Sequence, residues 1–287
     1  MLVITGGECF TLGKDLDKIV SYAHSKEFGV RIVSNVSWAT SFKKAYKRME
    51  ELVALGLTEM NLSCGDEHQR WVKFDNVINV TVACIILKIT LAINIESSSL
   101  KSITSKNIEN DPRLRKYGDL KQHDIYISRG KWMYFKKQTK DVWEKLAQDN
   151  IKTRDDLRCT NIFFSLNVFY NKNMYSCCGL TNIYNKCLYI GNCEDRLMKD
   201  IYQSQFNDFF KIWLFTEGPG EIYNFIMAKR NLPTIDAGEW HMCQICQEIF
   251  INEENVKVLK QYYHEKFPSV ILKYKIFREK FLGFENN

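Results

Sequence analysis

The chain has 287 residues, 45% hydrophobic and 26% charged, a composition that argues against disorder and is long enough for one large core or two small ones. Its 40 Lys and Arg against 34 Asp and Glu leave a formal charge of +6, spread along the sequence, which gives no footprint for nucleic acid. Ten cysteines follow an opening with no basic n-region or cleavage site; the expectation is a cytoplasmic protein whose thiols serve metal or redox chemistry rather than disulfides.

The first stretch, Leu2-Val3-Ile4-Thr5-Gly6-Gly7-Glu8, reads as a buried strand, a glycine turn and a carboxylate at the strand's C-terminal edge. A helix is predicted over 14–27, a strand over 30–34, and a helix from the cap Ser41 to Leu55, ended by Gly56. A strand over 58–63, a helix over 75–88 capped by Asp75, and a strand over 89–96 complete a β-α-β-α-β-α-β order, the pattern of a parallel sheet. The apolar run 77–95 carries Asn79, Lys88 and Asn94 and splits into helix and strand, so no membrane span is expected.

Four strand ends carry polar groups: Gly6-Gly7-Glu8, Ser34-Asn35, Ser63 through His68, and Asn94 with Glu96. In a parallel barrel or half-barrel these gather at one mouth, where ligands bind. Each alone reads as a turn or cap, and His68 as a turn residue; together they favour a binding surface. The polar stretch 96–115 is expected to be loop, 124–127 and 131–135 a last strand or hairpin, and 139–148 a short helix.

The fold class expected is thus α/β: a partial (β/α) barrel over 1–135, then a smaller cysteine-rich α+β domain over 136–287. Seven of the ten cysteines fall in the second part. There, 161–170 and 173–177 form a predicted hairpin around Asn171-Lys172, with Leu188 to Asn192 a strand and turn. A helix is expected over 197–215, a break at Gly218-Pro219-Gly220, a helix over 221–229, and a lysine-rich amphipathic helix over 253–267. Cys243-Gln244-Ile245-Cys246 puts two thiols within one turn, able to grip one metal or one cluster. Cys159 and Cys177 flank the hairpin and are the candidate remaining ligands, with Cys178 the alternative to Cys177. Reduced, partly buried thiols, structural zinc and an iron–sulfur cluster all remain open on these residues alone.

Taken in order, these motifs resemble the radical S-adenosylmethionine (SAM) enzymes. Gly6-Gly7-Glu8 is similar to that family's Gly-Gly-Glu motif, Ser34-Asn35 to its Ser-Asn strand end, and Leu62 through His68 to its Ser-x-x-Asp/His segment. The resemblance covers about residues 1–96. Cys159, Cys177, Ile190-Gly191-Asn192, Cys243 and Cys246 resemble the auxiliary-cluster (SPASM or twitch) domains of peptide-modifying members.

The resemblance implies that Gly6, Gly7 and Glu8 hold the methionine amino group of SAM. Ser34, Asn35, Ser63 and Asn94 would contact its carboxylate or ribose. Cys159, Cys177, Cys243 and Cys246 would hold an auxiliary iron–sulfur cluster, with zinc the alternative. The family's Cys-x-x-x-Cys-x-x-Cys is not found in this sequence, so an N-terminally shortened chain is expected. Its activity would be radical modification of a peptide or small molecule once complemented by that segment. The competing expectations are a non-catalytic partner of a complete radical SAM chain and a zinc-stabilised α/β protein. No membrane or nucleic-acid partner is expected.

Overall fold

The computed structural model describes residues 1–97, 103–131, 159, 161–179, 181–236 and 241–279. The chain divides into two compact units, Met1–Trp132 and Met133–Asn287.

In the first unit five strands lie side by side in chain order: β1 (Leu2–Ile4), β2 (Val30–Ser34), β3 (Glu59–Gly65), β4 (Thr90–Ser97) and β5 (Ile125–Lys131). Every neighbouring pair is parallel, so each step needs a crossover. Helices α1 (Lys14–Ser25), α2 (Phe42–Ala54) and α4 (Phe74–Leu87) supply three of them, and a single turn, α3 (Asp66–Gln69), follows β3 directly. The expected alternation of strand and helix is therefore present as a mixed α/β unit. Its sheet, among the described residues, is open, with β1 and β5 at its edges.

Local chemistry explains the element ends. Ser41 caps α2 through the Lys44 amide, and Gly56 follows the helix at φ 105, where a Cβ would strike the His24 ring. Asp75 is not the cap of α4; Lys73 holds that place in extended conformation, and Asp75 pairs with Arg113 at 2.7 Å. From Asn76 to Ile85, α4 is buried throughout. Its two buried amides are satisfied: Asn76 donates to the Val36 carbonyl at 2.9 Å and Asn79 to that of Ala39 at 3.1 Å. No helix among the described residues is long and apolar enough to cross a membrane.

The expected loop 96–115 instead contains two short helices, α5 (Ser105–Glu109) and α6 (Pro112–Arg115). Thr104 with Asn107 forms a capping box and Asp111 caps the second helix, so the polar residues start helices rather than prevent them. The last strand is one continuous β5 rather than a hairpin; 132–135 and the helix expected over 139–148 lie outside the described residues.

Alternation divides the sheet into two faces. Ile32, Met60, Leu62, Leu91 and Ile93 face the helices and form the core with Leu16, Val20 and Met49. The opposite face is polar: Arg31 and Glu59 pair across β2 and β3 at 2.8 Å, and Ser63, Asn94 and Ser128 stand in one register row.

Among the described residues the second unit combines an antiparallel sheet, β6 (Asn167–Val168), β7 (Asn173–Tyr175) and β8 (Tyr189–Asn192), with six α-helices. These are α7 (Met198–Ser204), α8 (Phe209–Thr216), α9 (Gly218–Lys229), α10 (Met242–Ile251), α11 (Glu253–Tyr262) and α12 (Phe267–Phe277). The hairpin turns where expected, with Lys172 at φ 64, though its strands are shorter. The helix expected over 197–215 is split, because Asp208 accepts the amides of Phe210 and Lys211 and starts a new helix. Gly218-Pro219-Gly220 is the first turn of α9 rather than a break, since proline lacks only a donor that a first turn leaves unpaired. The 253–267 helix ends at Tyr262. Fully buried Trp213 centres this core, its indole N–H donating to Glu217 at 2.8 Å.

Candidate functional site

The structure brings the sequence-selected residues of the first unit together in two groups on opposite faces of the sheet. Glu8, Ser34 and Asn35 make the first group. Both Glu8 oxygens accept the Ser34 hydroxyl, at 2.9 and 3.1 Å, Oε2 accepts the Asn35 amide at 2.9 Å, and Oε1 accepts the Phe10 amide at 3.2 Å. A carboxylate has about four lone-pair sites, so it is largely occupied while remaining partly exposed.

Ser34 is 3% exposed and lies on the helix-covered face, in register with Leu62. Its oxygen accepts the Val36 amide at 2.9 Å and the Trp38 indole at 3.0 Å, which fills the hydroxyl's capacity. Its place in the structure is to orient Glu8. Phe10 stacks on Trp38 at 4.1 Å beside this knot. Gly6 takes φ 141, a conformation that favours glycine, and no atom stands within 4 Å of a Cβ on Gly6 or Gly7, so the turn is open.

Ser63 and Asn94 make the second group, on the polar face. They are register partners, and Asn94 accepts Ser128 at 3.4 Å. Beyond them Glu96, 6% exposed, stands in register between two glycines, Gly65 and Gly130. A Cβ on Gly65 would lie 2.3 Å from the Glu96 carboxylate, so glycine is required there. Glu96 Oε1 accepts the His68 amide at 3.0 Å and Oε2 lies 2.9 Å from His68 Nδ1. This contact makes His68 a fixed residue at the strand ends rather than a loose turn residue.

In the second unit, Cys159, Cys177, Cys243 and Cys246 line one cavity. They come from the segment before the hairpin, from just after β7, and from the first two turns of α10. A Cβ on Gly179 would stand 3.1 Å from the Cys243 sulfur and 3.6 Å from that of Cys177, so the glycine keeps open the space between two of the four thiols. Burial pushes the Cys177 thiol up to about 12 and raises Cys246 well above its ordinary value, the neighbouring sulfurs adding to both. Cys178 is exposed and does not line the cavity.

The segment 181–187 grips this cluster. Thr181 donates to the Cys243 carbonyl at 2.8 Å, Asn182 to the Cys177 carbonyl at 2.8 Å, and Asn185 to the Cys246 sulfur at 3.4 Å. Sequence reasoning missed these three residues and Gly179. The signal was present as polar residues set between cysteines in an otherwise apolar neighbourhood.

Among the described residues, no group of three or more His, Cys, Asp or Glu side chains stands close enough to hold a single metal ion. The four thiols thus share a cavity without already forming a closed one-ion shell. Their chemistry suits a soft metal, and the opening beside Gly179 is one that a Cβ would fill.

The protein is thus of mixed α/β class, with polar strand-end groups on both faces of one unit's sheet, rather than gathered at one mouth, and a thiol-lined cavity in the other. No family model and no curated protein sequence matches the chain.

Proposed function

We propose that the second unit is a cysteine-ligated metal centre of the iron–sulfur type, held by Cys159, Cys177, Cys243 and Cys246, in a protein of radical SAM-like organisation. The observation that carries this is the convergence of four thiols, distant in sequence, on one cavity kept open by Gly179. Tetrahedral zinc needs its four sulfurs about 3.8 Å apart, from bonds of about 2.3 Å. A four-iron cluster holds its thiolates further apart than that, so the number of metal ions bound separates the two readings. Bound there, such a cluster would supply electron transfer or a fixed substrate anchor. The chain's own contribution is to position the thiols through Thr181, Asn182 and Asn185.

For the first unit, the radical SAM-like reading is that of a partial barrel. Gly6, Gly7 and Glu8 would face the amino group of SAM at the strand ends, and Asn35 after β2, with Ser63 and Asn94 on the polar face, its carboxylate or ribose. Ser34 serves by holding Glu8. The activity proposed is modification of a peptide or small molecule when a Cys-x-x-x-Cys-x-x-Cys segment complements the chain. The β1 edge, where Val3 is 45% exposed, supports a second reading, a non-catalytic chain that pairs with a complete radical SAM enzyme.

Anaerobic reconstitution with ferrous iron and sulfide tests the centre. The expected result is a broad visible absorption lost on reduction, and absent from Cys246→Ser. Equal absorption by the variant, or none by the wild type, overturns the proposal.

A further inference from the structure

A second site-like feature of the same unit takes no part in the thiol cavity. A groove of about 510 Å³ runs between α11 and the single turns Asn182–Tyr184 and Lys186–Leu188. Its apolar surface comes from Tyr184, Phe250, Ile251 and Val256. Three lysines line it: Lys186 on one side, and Lys257 and Lys260 on the helix opposite, three residues apart and so on one helical stripe. All three are exposed.

The groove is unbalanced in charge. Among the described residues that line it, Glu253 is the only carboxylate, against three ammonium groups. Four other lysines of this unit sit against carboxylates: Lys172 by Glu194, Lys211 by Asp208, Lys229 by Glu265 and Lys273 by Glu217. No ion pair joins Lys186, Lys257 or Lys260 to a carboxylate among the described residues. Apolar surface flanked on two sides by unpaired cations calls for a ligand that brings both apolar side chains and several negative charges. One small anion satisfies only one lysine, whereas an extended segment can reach both sides at once.

We infer that this groove is a docking site for an acidic peptide segment whose carboxylates alternate with apolar side chains. The inference is independent of whether the thiols hold a metal.

The test is fluorescence anisotropy of the full chain with a labelled peptide of alternating Glu and Leu. Saturable binding that weakens steeply with salt is expected. Charge reversal by Lys257→Glu with Lys260→Glu should weaken it about tenfold or more, two exposed pairs being replaced by repulsion. The same reversal at Lys43 and Lys47, surface positions of the first unit, should leave it unchanged. All these lysines are exposed, so the variants fold, as circular dichroism can verify. Competition by millimolar inorganic phosphate as strong as that by unlabelled peptide would overturn the inference. So would undiminished binding by the groove variant, equal binding of a Lys-and-Leu peptide, or no saturable binding at all.

Discussion

Asn185 donates from Nδ2 to the sulfur of Cys246 at 3.4 Å, while its Oδ1 accepts the Cys187 amide at 3.0 Å. The side chain is 1% exposed, so both contacts are made away from water. A hydrogen bond to sulfur stabilises thiolate over thiol, so in the proposed metal centre Asn185 would support a ligand without being one. Asn185→Asp places an oxygen and a negative charge against that sulfur. Cluster affinity, measured as iron retained against a chelator after anaerobic reconstitution, should fall about 10- to 100-fold. An unchanged affinity would reduce Asn185 to a cap of the turn Lys186–Leu188.

Gly179 offers a cleaner perturbation, because its backbone is not in the left-handed region and alanine fits its dihedrals. The added methyl would stand 3.1 Å from the Cys243 sulfur. Gly179→Ala should therefore lose metal while keeping its circular dichroism and unfolding transition. Retention of metal at the wild-type level would mean that the cavity between the thiols is not where the metal sits.

Ser34→Ala should destabilise the first unit by about 1–3 kcal/mol in a urea titration. The hydroxyl accepts the Trp38 indole and the Val36 amide and donates to Glu8, so its loss leaves two donors without acceptors. A loss well under about 0.5 kcal/mol would show that water or a local shift replaces the hydroxyl.

The three cysteines of the first unit give a pH prediction. Burial, with Glu8 adding to it, pushes the Cys9 thiol up to about 12; burial does the same for Cys64 and acts in the same direction on Cys84. Cys9 is a donor, its S–H reaching the Val33 carbonyl at 3.3 Å. The folded state holds these protons more tightly than the unfolded chain, whose thiols titrate near 9.0. Their contribution is complete below about pH 9 and is lost as pH rises toward about 12. Urea midpoints should decline over that alkaline range. Near pH 8, iodoacetamide should mark exposed Cys178 and spare these three. Their rapid alkylation in the folded protein would contradict this account of their burial.

Much of the first unit was legible because its signals are local. Alternation gave the strands, Ser41 the start of α2 and Gly56 its end. What local signals could not give was the face each residue takes. Ser34 and Ser63 look equivalent in sequence, each closing an apolar strand, yet register sets Ser34 beside Leu62 and Ser63 beside Asn94 on the opposite face. A one-residue difference in phase reverses the face, and only pairing fixes it. The Glu96–His68 contact was hidden for the same reason, since it depends on β3 and β4 being neighbours.

In the second unit the errors arose from giving breakers a single meaning. Pro219 starts a helix as readily as it ends one, and Asp208 caps a new helix inside an apolar run. The four thiols were legible as types and spacing. Their grouping was expected as one ligand set, while the cavity they share, and Gly179 within it, depends on the tertiary fold that brings Cys159 to Cys243.

We propose that Cys159, Cys177, Cys243 and Cys246 hold one metal centre. Its most direct test is the iron, sulfide and zinc content of the chain purified without oxygen, beside Cys243→Ser with Cys246→Ser. About four iron and four sulfide per chain are expected, lost in the double variant. About one zinc without iron would replace the cluster by a structural ion. No metal in the anaerobic wild-type protein, or equal metal in the variant, would contradict the claim.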